Sequence, residues 1–105
     1  MQVAYSVNGV PIRLTDERWA HIVRNKPYMA AYKEQVLRAI ERPTWVLEGY
    51  AGAQVAVLRL RKDRNLHVVY RELGTQDGFV ITAFMARKVN KEKIIWPKRS
   101  SVRRA

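Results

Sequence analysis

Residues 66–88, LHVVYRELGTQDGFVITAFMARK, constrain the fold more than any other stretch of this chain. Leu66, Val68 and Tyr70 alternate with His67, Val69 and Arg71. Phe79, Ile81, Ala83 and Met85 alternate with Val80, Thr82, Phe84 and Ala86. A period of two is the mark of β-strands. Gly74, Asp77 and Gly78 between the runs tolerate tight-turn backbone angles, so the stretch reads as a hairpin. One of its faces is almost wholly apolar, and the other carries His67, Arg71 and Thr82.

The flanking segments supply the layers such a hairpin needs. Asn8-Gly9 suits a two-residue turn near the start, and Pro11 restricts that region to an edge or irregular strand. Thr15 to Asn25 reads as a helix, with Thr15 as N-cap and Asp16 and Glu17 in the first turn. Trp19, Ile22 and Val23 form its apolar stripe, which places His21 off that stripe beside Glu17 and Arg18. Pro27 opens a second helix reaching about Arg42, with Tyr32, Val36, Ala39 and Ile40 buried, Met29 at its start and Pro43 as its stop. Thr44–Tyr50 and Gln54–Lys62 read as strands. The expectation is an α+β domain in which two helices pack on a curved, mainly antiparallel four-stranded meander. Residues 1–96 form the domain. Ile94, Ile95 and Trp96 read as a short strand or an anchor, and 97–105, with Lys98, Arg99, Arg103 and Arg104, as a flexible basic tail.

Alternation then assigns faces. Leu58, Leu60, Leu66, Val68, Phe79, Ile81 and Met85 should meet the helices, while Arg59, Arg61, His67, Arg71 and Thr82 lie on the reverse side. A bulge would exchange the sides beyond it.

Charge narrows the partners. The 105 residues carry 20 Lys and Arg against 9 Asp and Glu, a net +11. Residues 1–52 hold 7 basic and 5 acidic side chains, and residues 53–105 hold 13 and 4, so the positive field belongs to the strand half and tail. Such a field favours polyanions, nucleic acid above all, with Arg61, Arg71, His67, Lys88 and Lys91 as candidate contacts. The chain has no cysteine, which excludes disulfides, thiolate chemistry and sulfur-based zinc sites. The acidic residues are scattered and neither His has a metal-ligand spacing, so no metal or other cofactor is expected. No apolar run approaches the ~20 residues of a membrane span and the N-terminus lacks signal-peptide character, so a cytoplasmic protein without membrane contact is expected. RNA cleavage is compatible with this inventory. The 2′-hydroxyl is its own nucleophile, and a base, an acid and cations suffice.

RLTDERWAHI at 13–22, ERPTWVLEG at 41–49, LHVVYRE at 66–72 and GFVITAFMARK at 78–88 together resemble the phage-type nucleases grouped with barnase, EndoU, colicin and RelE toxins (the PBECR group). The resemblance covers residues 12–96. It implies a RelE/barnase-like fold and metal-independent endoribonuclease activity, as a toxin or a phage-derived effector with an acidic antitoxin or inhibitor as partner. It also implies His21 as acid or base, Arg59 or Arg61 as phosphate stabiliser, Thr82 as a phosphate contact and Tyr70 as a further proton-transfer residue. The last role conflicts with alternation, which puts Tyr70 in the core. The alternative function is a non-catalytic nucleic-acid-binding module using the same cationic face.

Overall fold

The computed structural model describes residues 1–98, so the expected tail beyond Lys98 lies outside the described residues. The chain forms β1 (Gln2–Tyr5), β2 (Pro11–Leu14), α1 (Asp16–Asn25), α2 (Lys33–Glu41), β3 (Trp45–Glu48), β4 (Gln54–Arg61), β5 (Arg64–Glu72), β6 (Gly78–Ala86) and β7 (Ile94–Trp96). This is an α+β fold, two helices on a mostly antiparallel sheet. The sheet has seven strands in the order β1-β2-β6-β5-β4-β3-β7, not the four expected. The extra strands are short and carry few alternating positions, which is why periodicity underweights them.

The N-terminal pair turns at Ser6–Gly9, where Gly9 takes φ 78° and its N–H donates to the Ser6 carbonyl at 2.8 Å. β2 is an interior strand, not an edge. It pairs with β1 on one side and, in parallel, with β6 at Arg13 and Phe79 on the other. Pro11 is tolerated because it is the first residue of the strand, beyond that single contact with β6. Two side-chain ties hold this corner. Arg13 donates to both carboxylate oxygens of Asp77, at 2.8 and 3.1 Å, and Ser6 Oγ donates to Glu72 at 2.6 Å.

Thr15 caps α1 as its sequence suggests, its Oγ1 accepting from the Arg18 N–H at 3.1 Å. Ile22 is fully buried and Trp19 partly so, while His21 is exposed. The expected second helix is two pieces. A 3₁₀ segment (Pro27–Tyr32) precedes α2, because Tyr32 at φ −120°, ψ 20° breaks the helical path. Met29, Val36, Ala39 and Ile40 nevertheless all reach the core. α2 lies against β1, β4 and β5 and α1 against β6, so the sheet curls around the helical layer.

The core between the layers contains Ile12, Leu14, Ile22, Met29, Val36, Ile40, Leu66, Val68, Tyr70, Val80 and Ala83. β6 departs from the expected alternation. Val69 pairs with Thr82 but Tyr70 pairs with Val80, leaving Ile81 as the extra residue of a bulge. Beyond it Ala83 and Met85 face the helices as expected. Before it the sides exchange, so Val80, not Phe79 or Ile81, fills the core. A second register shift falls between Arg59 and Arg61 on β4.

Candidate nucleic-acid interface

The expected site residues separate into three groups. Tyr70 belongs to the core. It is 0% exposed, its hydroxyl is buried with no hydrogen-bond partner, and burial raises its pKa, with the Glu72 charge adding to the effect. A phenol sealed among aliphatic side chains cannot exchange protons with a substrate, so its proton-transfer role is withdrawn and the core position indicated by alternation stands.

His21 belongs to the α1 side, whereas Thr82, paired with Val69, lies on the reverse face at the β6 edge, where Lys26 reaches it. His21 Nε2 accepts from the Asn25 side-chain amide at 3.1 Å, and with Thr15, Glu17 and Arg18 it lines a shallow depression of about 260 Å³. Thr82 Oγ1 lies 3.3 Å from Lys26 Nζ, just beyond the end of α1. Next to it Tyr28 Oη accepts from the Met85 N–H at 3.3 Å, covering an edge of β6 that β2 leaves open.

Arg59 lies across the sheet from His21 and on the same face as Thr82. It pairs with Asn65, which shares the face of His67, opposite the helix-facing Leu66, Val68 and Tyr70. His21 on the helical layer and Arg59 on the reverse face are therefore on opposite sides of the sheet, and one catalytic constellation of His21, Arg59 and Tyr70 is not formed. Arg61 leaves the row of Arg59 because of the register shift and pairs with Arg64, whose guanidinium donates to Tyr32 Oη at 3.0 Å. Arg71 also turns to structure. It donates to the Ala51 carbonyl and so holds the Tyr50–Gly52 turn, where Ala51 adopts φ 54°. His67 is a packing residue, 6% exposed and stacked on Phe84 with ring centroids 4.9 Å apart at 17°. Its Nδ1–H donates to the Asn65 carbonyl at 3.1 Å, and burial lowers its pKa, so it contributes no cation.

The reverse face gains its shape from the connection between β6 and β7. Those strands lie at opposite ends of the β6-β5-β4-β3-β7 order, so residues 87–93 must cross the sheet between them. Asn65 Nδ2 anchors the start of the crossing by donating to the carbonyls of Arg87 (3.0 Å) and Ala86 (3.4 Å). Further along, Lys91 Nζ sits 5.3 Å from the centre of the Trp45 ring. Two depressions flank this contact. One of about 120 Å³ is bordered by Asn65, Arg59, Arg87 and Val89, and one of about 710 Å³ by Ile94, Pro97, Glu92 and Lys98. Trp45 and Lys91 border both. Lys88 is exposed on the same crossing segment.

The arrangement is a half-buried indole surrounded by four basic side chains, Arg59, Arg87, Lys91 and Lys98. Asp63 and Glu92 are the acidic neighbours, and Asp63 lies 3.7 Å from Arg87. Trp45, Asn65, Arg87 and Lys26 were missed in the sequence because their roles depend on the crossing and on the β6 edge. Trp45 next to a strand start was the one available signal. Among the described residues no group of three or more His, Cys, Asp or Glu is placed to hold a metal ion, and no helix is long and apolar enough to cross a membrane.

Comparison with protein families, with curated proteins and with solved structures finds no match for this chain.

Proposed function

We propose that this chain binds single-stranded RNA on the reverse face of its sheet. The observation that carries the reading is Trp45, with Lys91, standing between two adjoining depressions, one bordered by Arg59 and Arg87 and the other by Lys98. Cations along a groove hold the phosphates of a strand, and an aromatic ring between them stacks an unpaired base. A duplex keeps its bases stacked internally and would gain little from the indole. Fluorescence anisotropy with labelled single-stranded RNA over a salt series tests this. Neutralising about four phosphates on a single strand gives a slope of roughly −3 in log K against log salt. Arg59→Ala and Lys91→Ala should each make it less steep. Absence of binding, or affinity indifferent to salt, overturns the reading.

A second reading, metal-independent endoribonuclease activity with the RelE/barnase-like character that the sequence resemblance implies, is favoured by the contact between Lys26 and Thr82. In that reading Lys26 and Thr82 hold the non-bridging oxygens of a phosphate and His21 on α1 takes the 2′-hydroxyl proton; the 2′-oxygen bonds phosphorus, the P–O5′ bond breaks, and the 5′-oxygen leaves with a proton from water. An acidic antitoxin or inhibitor would then cover the cationic surface. RNA incubated with the protein in EDTA should acquire 2′,3′-cyclic phosphate ends, lost in Lys26→Ala and His21→Ala. RNA that is bound but stays intact leaves the binding function alone.

A further inference from the structure

The reverse face contains a buried polar atom that the fold does not satisfy. Asn65 is 4% exposed. Both of its Nδ2 hydrogen-bond partners are backbone carbonyls, which fixes the orientation of the amide. Its Oδ1 is buried and has no partner. A buried acceptor without a donor is uncommon and costly, and it marks a place where a ligand's N–H gains more than it would on an open surface. Asn65 borders the smaller depression beside Trp45, with Arg59 and Arg87 at its rim. At about 120 Å³ that space equals roughly four waters, enough for one planar ring and too small for a nucleotide with its sugar and phosphate.

We infer that the depression between Asn65 and Trp45 is a base-reading subsite selecting nucleobases whose Watson–Crick edge sets an exocyclic amino group beside an unprotonated ring nitrogen, cytosine and adenine. The inference rests on the RNA-binding reading and adds a sequence preference to it. The base parts the side chains over the buried Oδ1 as it enters, and its amino group then donates to that oxygen. The adjacent ring nitrogen, an acceptor in both bases, accepts a hydrogen bond from the Arg59 or Arg87 guanidinium. Trp45 supplies the stacking surface, from which the Lys91 ammonium moves to the phosphate of the same nucleotide. Uracil presents a carbonyl oxygen where cytosine presents its amino group and so meets Asn65 acceptor to acceptor. The larger depression continues from Trp45 and Lys91 and leaves room for the next nucleotide of the strand.

The test compares oligocytidylate, oligoadenylate and oligouridylate of about eight nucleotides at a single salt concentration, on the full chain. Cytidylate against uridylate is the decisive pair, because the two rings stack alike. The expected result is cytidylate and adenylate bound about tenfold or more tightly than uridylate. Asn65→Leu should bring all three to the uridylate level, and Trp45→Ala should weaken all three by about tenfold or more. If Asn65→Leu does not fold, the ranking by the unaltered chain and by Trp45→Ala still decides. Equal, salt-sensitive binding of cytidylate and uridylate overturns the subsite and leaves RNA binding standing. No binding of any oligomer overturns both.

Discussion

Tyr70→Phe separates packing from chemistry at the most deeply placed residue of the implied catalytic set. Tyr70 is 0% exposed and its hydroxyl has no partner. An unpaired buried polar group costs about 1–3 kcal/mol of desolvation. Phenylalanine removes the oxygen and keeps the ring, leaving at most a methyl-sized void that offsets part of the gain. The expected net change is a stabilisation of about 1 kcal/mol, which in a domain of this size raises Tm by roughly 4–8 °C. Tyr70→Ala, by contrast, empties the centre of the core and should cost about 3–5 kcal/mol. Differential scanning calorimetry and urea titration measure both, and RNA binding by Tyr70→Phe should equal that of the parent chain. Destabilisation by 1 kcal/mol or more in Tyr70→Phe would mean that the hydroxyl has a partner after all. Loss of RNA cleavage in a protein of unchanged stability would restore its proton-transfer role.

His67 is expected to make stability fall in mild acid. Burial holds its folded-state pKa below the ordinary 6.5, so the unfolded chain binds the proton first as pH drops. Its contribution is fully present above pH 6.5 and is lost as pH falls through that value toward the folded-state pKa. In His67→Phe, which keeps a ring against Phe84, Tm should vary less between about pH 8 and 5.5, and an unchanged pH profile would contradict this. Gly78→Ala should destabilise by about 1–3 kcal/mol in urea titration, because the added Cβ would stand 2.5 Å from Ile12 Cδ1 and 2.6 Å from the Arg71 carbonyl oxygen. Full stability in that variant would mean that the β2–β6 corner can shift.

Local pattern made the helices and the hairpin legible, and bulges concealed the faces. Thr15, Ile22 and the exposure of His21 followed from capping and a 3.6-residue period, both of which act within one helix. Ala83, Met85 and Tyr70 followed from alternation. Val80 did not, because nothing in the composition around Ile81 marks it as the extra residue between Val80 and Thr82. Arg59 and Arg61 looked equivalent in sequence and are separated by another register shift. The groove itself was not legible at all. It is assembled from Trp45 on β3, Asn65 on β5 and Lys91 on the crossing segment, three positions that only the path of the chain after β6 brings together.

The parallel contact between Arg13 and Phe79 has a consequence for the order of folding. Within this domain the pair β1–β2 is synthesised before the helices, yet its place in the sheet is provided by β6, which follows both helices and β3 to β5. Likewise β7 completes the other edge by pairing back to β3. Neither flank of the sheet can close from neighbouring residues, so the closure entropy of long loops must be met before those contacts form. During synthesis the exposed Val3 and Tyr5 of β1 wait with an unpaired neighbour. The slow step of maturation should therefore be the late arrival of β6 between β2 and β5, and partly made chains should be the species most prone to pair with one another.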